Sequence, residues 1–169
     1  DSRGDTECAL RAYGEVLALA RAGVPNRRPG VAFILNAMGN IVRDRDDYAG
    51  ARGHYEEALG IWRQCGNDDG IICCLCNLGT LACLRGDPVQ ALHTIRQSLH
   101  LAWKGRNTRH VASSLAVLAA ARQAQGESAA AARLIGQSQA QYRSLGMDPV
   151  PYDGRFLSTT MAAIRSALG

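Results

Sequence analysis

The chain has 169 residues, of which 47% are hydrophobic and only 5% aromatic, and its formal net charge is +4. This length suits one ordinary domain, with a core built mainly from Ala, Leu, Ile, Val and Cys. The basic residues form no dense stripe, the closest pair being Arg27-Arg28, and no apolar run reaches the roughly 18 residues of a membrane span. The composition therefore argues against direct nucleic-acid binding and against a membrane protein.

Apolar residues recur at helical spacing along nearly the whole chain. In chain order, the pattern predicts helices over 5–22, 31–44, 47–64, 71–84, 88–103, 109–124, 128–145 and 153–168.

The predicted breaks between these helices contain turn and capping residues. The first break holds Val24-Pro25-Asn26 and Pro29-Gly30, and a later turn runs over 66–70. Asp46 or Asp47 is a candidate N-cap, as is Asp87, which Pro88 follows at the first helical position. Pro149 and Pro151 interrupt the pattern before the last helix.

A period of 40 residues organises the helices into pairs. The residues that mark it in the first pair are Leu35, Met38, Gly39, Ala51, Tyr55 and Ala58. Their counterparts are Leu75, Leu78, Gly79, Ala91, Ile95 and Ser98, and then Leu115, Leu118, Ala119, Ala131, Ile135 and Ser138. Such a period is typical of solenoids, whose repeats bury their apolar faces only against neighbouring repeats.

The period predicts one all-α domain over 1–169. Helix 5–22 is the lone second helix of a repeat, and 31–64, 71–103 and 109–145 are helix pairs. Helix 153–168 leaves the repeat register and is expected to cap the exposed face of the third pair. Because the chain starts at Asp1 inside a second-helix pattern, we expect a fragment of a longer protein.

These residues resemble the tetratricopeptide repeat. Its pattern places a bulky residue and then Leu-Gly in the first helix, as in Leu78-Gly79, followed by small, bulky and small residues in the second. Arg85-Gly86-Asp87 between the helices also fits, whereas Ala119 replaces the glycine in the third repeat. The resemblance implies a right-handed superhelix of antiparallel helix pairs that binds a protein or peptide in its concave groove.

The end of the chain is similar to the C-terminal repeats of bacterial apoptotic-ATPase-like regulators, which include relatives of LuxR-type transcriptional activators. The residues that carry this similarity are 130–136, Leu145-Gly146 and 161–169. It implies a cytoplasmic sensor or interaction arm of a signalling ATPase, with the parent's own ATPase module as a candidate partner. The alternative is a free-standing adaptor or scaffold without an ATPase.

The family groove predicts the partner-binding residues. Carried onto this chain, its positions are Phe33, Asn36, Asn40, Arg43, Cys73, Cys76, Thr80, Cys83, Ser113, Ala116 and Gln123. Asn36 and Asn40 lie one helical turn apart and are candidates to hydrogen-bond a ligand backbone. The alternative is that they only solvate the concave face.

No motif for catalysis, a metal or a cofactor accompanies the repeats. Cys73 and Cys76 form a C-x-x-C, but no second ligand pair completes a zinc site and no βαβ context suggests a redox enzyme. The six cysteines are therefore interpreted as reduced, buried thiols, with oxidation sensing as a minor alternative. The four histidines are scattered, and no phosphate-binding loop occurs, so we expect a binding protein and not an enzyme.

Overall fold

The computed structural model describes residues 2–21, 28–148 and 154–169. In these ranges the chain forms α-helices joined by short turns, which confirms the all-α class. The helices are α1 (Ser2–Arg21), α2 (Arg28–Arg43), α3 (Tyr48–Cys65), α4 (Asp68–Leu84), α5 (Pro88–Lys104), α6 (Thr108–Ala124), α7 (Ser128–Ser144) and α8 (Gly154–Leu168).

The helix starts show where the predicted breaks were misplaced. Pro29 and Gly30, predicted to lie in a break, belong to the first turn of α2, where a proline costs no hydrogen bond. The turn predicted over 66–70 ends early, because α4 begins at Asp68. The Val24-Pro25-Asn26 break and the proline pair at 149 and 151 lie outside the described residues.

The N-caps of successive helices lie 20 residues apart. The side chains of Asp47, Asn67, Asp87 and Asn107 each accept a hydrogen bond from the backbone N–H three residues later, at 2.9, 2.8, 2.9 and 3.1 Å. Each bond satisfies an N–H that has no acceptor within its helix. The predictions for Asp47 and Asp87 are confirmed, and Asn67 and Asn107 extend the series.

The same spacing governs the ends of the helices. A positive φ occurs in two series with a spacing of 40, one at Asp46, Gly86 and Gly126 and the other at Gly66, Arg106 and Gly146. Glycine adopts this left-handed conformation without the steric cost that other residues incur. Asp46 and Arg106 therefore stand at positions where the other members of their series are glycines.

By their contacts, the residues divide into two compact units, Asp1–Cys74 and Leu75–Gly169. In the first unit, α2 packs along α3 and also contacts α1. Leu35 and Tyr55 are completely buried there. Gly39 makes the close approach possible, because a Cβ at this position would lie 2.5 Å from Cε1 of Tyr55.

In the second unit, α6 packs against both α5 and α7, and α8 packs against α6 and α7. Ile164 of α8 is buried in a cluster with Ala119 and Ala131, so the last helix covers the third pair as the sequence predicted. Gly79 allows a close approach to α6, since its Cβ would lie 3.2 Å from Cγ1 of Val117. The same Cβ would lie 3.9 Å from the carbonyl oxygen of Ala91 and from Cβ of Ile95, so Gly79 also faces α5.

Candidate partner-binding surface

In the first unit, the predicted binding positions of α2 lie along one helical face. Phe33 begins this row, and its side chain is 69% exposed despite its size. Asn36 and Asn40 follow at one-turn spacing and are half-buried. An exposed aromatic side chain beside two amides offers an apolar anchor with polar groups next to it.

The two asparagines are held by bonds within the unit. The Tyr55 hydroxyl donates to Oδ1 of Asn40 at 2.8 Å, and the Cys74 thiol donates to Oδ1 of Asn36 at 3.7 Å. Both amide oxygens therefore accept hydrogen bonds from side chains of their own unit, and these bonds fix the orientation of the amide planes.

Arg43 and Cys73 complete the predicted positions in the first unit, and they differ in exposure. The Arg43 side chain is 6% exposed, and its Nε and Nη2 donate to Oδ1 of Asp44 at 3.1 and 2.9 Å. Cys73, the repeat counterpart of Phe33, is exposed. Phe33 and Cys73 are thus the accessible members of the first-unit set.

In the second unit, Cys76 belongs to a small polar cluster that joins three helices. Its Sγ lies 3.2 Å from Oγ of Ser98 on α5 and 3.6 Å from Oγ of Ser114 on α6. The two serine hydroxyls are themselves 2.8 Å apart and buried. The cluster resembles the bond between Cys74 and Asn36, because in both cases the paired positions are 38 residues apart.

Thr80 and Cys83 follow Cys76 on α4, and both are largely withdrawn from solvent. Thr80 is fully buried. Cys83 packs against the apolar cluster of Ala82, Leu92 and Ala121, and this burial raises its thiol pKa from 9.0 to about 12. A thiol in such surroundings is a poor nucleophile.

The cysteines are less uniformly buried than the sequence suggested. Cys74 is buried, but Cys65 and Cys73 are exposed, so the expectation of buried thiols is wrong for these two. Cys65 is the last residue of α3, and Cys73 lies within α4 at the repeat position of the exposed Phe33. Among the described residues, no group of three or more His, Cys, Asp or Glu side chains is arranged to hold a metal ion. The side chain of Cys8 lies outside the described part.

The three predicted positions on α6 have different surroundings. Ser113 donates to the carbonyl oxygen of Arg109 and shares a 2.7 Å hydrogen bond with the Tyr142 hydroxyl. Oε1 of Gln123 is buried and has no hydrogen-bond partner among the described residues. Ala116 is buried beside a pocket.

That pocket lies between α6, α7 and α8 and has a volume of about 140 Å³. Its apolar lining comes from Ala116, Ile135, Leu157 and Met161. Its polar lining comes from Ser138, Gln139, Ser158 and Arg165. Of these residues only Ala116 was predicted as a site residue. The 40-residue period gave no signal for the lining residues on α8, which are Leu157, Ser158, Met161 and Arg165, because that helix leaves the repeat register.

The fold agrees with a comparison against known protein families. Residues 30–102 match the family model for the tetratricopeptide repeat, and this range covers α3, α4 and nearly all of α2 and α5. No curated protein matches the chain significantly. Across the ranges that the structure describes, no helix combines the length and apolar character needed to cross a membrane. Residues 30–102 are therefore similar to the tetratricopeptide repeat, and the paired packing of α2 with α3 and of α6 with α7 is consistent with such a helical repeat fold.

Proposed function

We propose that the chain binds a protein or peptide partner through the α2 face formed by Phe33, Asn36 and Asn40. The observation that carries this proposal is the exposure of Phe33, at 69%, since every other α2 residue after Gly30 is buried or half-buried. Aromatic side chains are enriched in protein interfaces and supply large contact areas there. The match of residues 30–102 to the tetratricopeptide repeat supports protein–protein interaction as the general role of this chain.

The remaining predicted positions are proposed to extend the contact within each unit. In the first unit these are Arg43 and Cys73. In the second unit they are Cys76, Thr80, Cys83, Ser113, Ala116 and Gln123. The buried members would shape the surface by fixing the helices, whereas the exposed ones would touch the partner. The proposed role is binding and not catalysis.

Site-specific photocrosslinking tests the α2 face. A benzophenone amino acid is placed at position 33, and in a matched control at position 89, where Val89 is 71% exposed on α5. In the cells that naturally produce the protein, we expect a defined crosslinked protein at position 33 and none at 89. In affinity purification without a crosslinker, the Phe33→Ala variant should recover the same partner about tenfold less well than the parent, since an aromatic anchor typically contributes more than 1.4 kcal/mol. Equal products at both positions would contradict the proposal.

We further propose that this chain is the cytoplasmic interaction arm of a bacterial signalling ATPase or transcriptional regulator. The similarity of 130–136 and 161–169 to the C-terminal repeats of such regulators supports this. The arm would hold a partner, or the parent's own ATPase module, in one of two states.

Sequencing the reading frame upstream of Asp1 tests this second proposal. A nucleotide-binding loop followed by a helical module would support the regulator, and binding assays should then start with that ATPase. Further repeats alone would contradict it and would favour the free-standing adaptor.

A further inference from the structure

We propose that the pocket between α6, α7 and α8 binds a small organic carboxylate with an apolar body of about six carbons. No residue of the α2 face lines this pocket, and Ala116 is the one lining residue that is also among the positions proposed to extend the partner contact. The inference therefore goes beyond the proposed partner binding and does not depend on it.

The volume and the lining of the pocket determine the size of the ligand. The pocket measures about 140 Å³, and Ala116, Ile135, Leu157 and Met161 give it apolar walls. A cavity of about 150 Å³ with aliphatic walls is large enough for one benzene molecule. A single six-membered ring or a branched alkyl group of similar size therefore fits, and a larger metabolite such as a nucleotide does not.

The hydroxyl groups of the lining already donate their protons to the protein. Ser138 donates to the carbonyl oxygen of Ala112 at 2.8 Å, and Ser158 donates to that of Arg155 at 2.9 Å. Gln139 makes only a 3.9 Å contact from its Nε2 to the sulfur of Met161. The two hydroxyls are therefore engaged, and the Gln139 amide is the neutral donor that the lining offers to a ligand.

Arg165 supplies the charge. Its Nε donates to the carbonyl oxygen of Met161 at 3.3 Å, which holds the side chain along α8 at the pocket. Among the described residues it has no carboxylate partner, and none of the residues that line the pocket is acidic. A guanidinium presents further N–H groups in a fork that matches a carboxylate. A cation beside an apolar pocket therefore favours an anionic ligand with an apolar body.

Binding there would strengthen the attachment of the last helix. The pocket takes its lining from three helices, and α8 contributes Leu157, Ser158, Met161 and Arg165. A ligand that bridges these residues to Ala116 and Ile135 contacts α8 together with the pair on which it packs. Because such a ligand binds only the docked arrangement, it stabilises the second unit by mass action.

Titration of the intact chain with benzoate, followed by NMR of the backbone amides, tests this proposal. Benzyl alcohol, which has the same ring but no charge, is the matched ligand. We expect benzoate to shift the amides of the lining residues and to bind about threefold to fivefold more tightly than benzyl alcohol, because only benzoate pairs with Arg165 and that pair is exposed to solvent.

Two variants separate the charge from the fold. Arg165→Gln, at an exposed residue, should weaken benzoate binding about threefold to fivefold and leave benzyl alcohol binding unchanged. Arg133→Gln removes the same charge from an exposed position of α7 that does not line the pocket, and it should leave both affinities unchanged. Melting curves of both variants confirm that the fold is retained.

Several outcomes would overturn the proposal. These are shifts that avoid the lining residues, equal affinities for benzoate and benzyl alcohol, or equal weakening by both variants. A further comparison shows whether the carboxylate belongs to a peptide C-terminus or to a free organic acid. It uses a tetrapeptide ending in Leu, the same peptide with a C-terminal amide, and free 4-methylpentanoate. Tenfold tighter binding of the free-acid peptide than of 4-methylpentanoate would assign the pocket to a peptide terminus and would exclude a small organic acid.

Discussion

At Gly39, the absence of a side chain sets how closely α2 and α3 approach. The ring of Tyr55 fills the space that a Cβ would occupy. Its hydroxyl donates a hydrogen bond to Oδ1 of Asn40, the residue that follows Gly39 on α2. Gly39→Ala should therefore displace the ring and lower the free energy of unfolding by about 1–3 kcal/mol. Chemical denaturation measures this change.

Gly53→Ala on α3 is the matched control for this substitution. A Cβ at Gly53 meets nothing within 4 Å, so the methyl group causes no clash. Because alanine favours a helix over glycine, this variant should be more stable than the parent by up to about 1 kcal/mol. Destabilisation by both variants alike would contradict the packing role of Gly39.

The thiol of Cys83 should be the slowest to react of the cysteines whose exposure is known. Burial raises its pKa to about 12, whereas Cys65 and Cys73 are exposed. At pH 8, iodoacetamide should modify Cys65 and Cys73 first, and peptide mass mapping over time gives the order. Denaturation should abolish the difference, and fast modification of Cys83 in the native protein would contradict its burial.

The same shift predicts a loss of stability in alkali. The folded pKa of Cys83 lies above the usual value of 9.0, so folding favours the neutral thiol. Its contribution is present in full below pH 9 and is lost as the pH rises through about 12. Cys83→Ala should therefore show a smaller decline in melting temperature over this interval than the parent, and an equal decline would contradict the assignment.

At the scale of single helices, substitutions at two equivalent N-cap positions should change the free energy of unfolding in opposite directions. Asp87 caps α5 through a 2.9 Å bond to the N–H of Gln90, whereas Glu127, at the start of α7, makes no such bond. Asp87→Ala should lower the free energy of unfolding by about 0.5–2 kcal/mol. Glu127→Asp should raise it, because the shorter side chain can reach the free N–H groups of the first turn.

Glu127→Asp also removes an ion pair, and the size of that loss is small. Glu127 pairs with Arg122, and both side chains are partly exposed. Such pairs contribute less than about 1 kcal/mol, so the gained cap should prevail. Thermal unfolding of both variants checks the signs, and a lower melting temperature for Glu127→Asp would contradict the capping argument.

The last helix should keep the second unit from associating. Ile164 packs against Ala119 and Ala131, so Ile164→Asp would place a carboxylate among apolar groups and should detach α8. The apolar faces of α6 and α7 would then be exposed and should promote association, which light scattering after size-exclusion chromatography detects. Ala163→Asp, one residue away and exposed, should leave the association state unchanged. A monodisperse Ile164→Asp variant would show that α8 is no cap.

At the scale of the whole chain, the sequence predicted the core better than the surface. The small residues of the period, Ala51, Ala91 and Ala131, are all completely buried, because the period records which side of each helix is packed. It does not record which polar groups bond each other. The bond between Cys74 and Asn36 depends on the spacing of two helices, so the engaged state of Asn36 could not be read from the pattern.

The pocket was missed for a related reason. Its wall on α8 comes from a helix outside the repeat register, so Arg165 has no counterpart at 40-residue spacing that would point to a ligand. Phe33 was predicted from the family groove, and its exposure fits that placement. Its use by a partner stays a prediction that the crosslinking experiment tests.

The regular turns also make the chain extensible. Residues 47–86 begin at the N-cap Asp47 and end at the left-handed Gly86, and the next residue, Asp87, is again an N-cap. A tandem copy of this 40-residue segment would therefore join Gly86 to an aspartate, as the natural chain does. Gene duplication, or an engineer, could lengthen the protein by whole helix pairs without inventing a new junction.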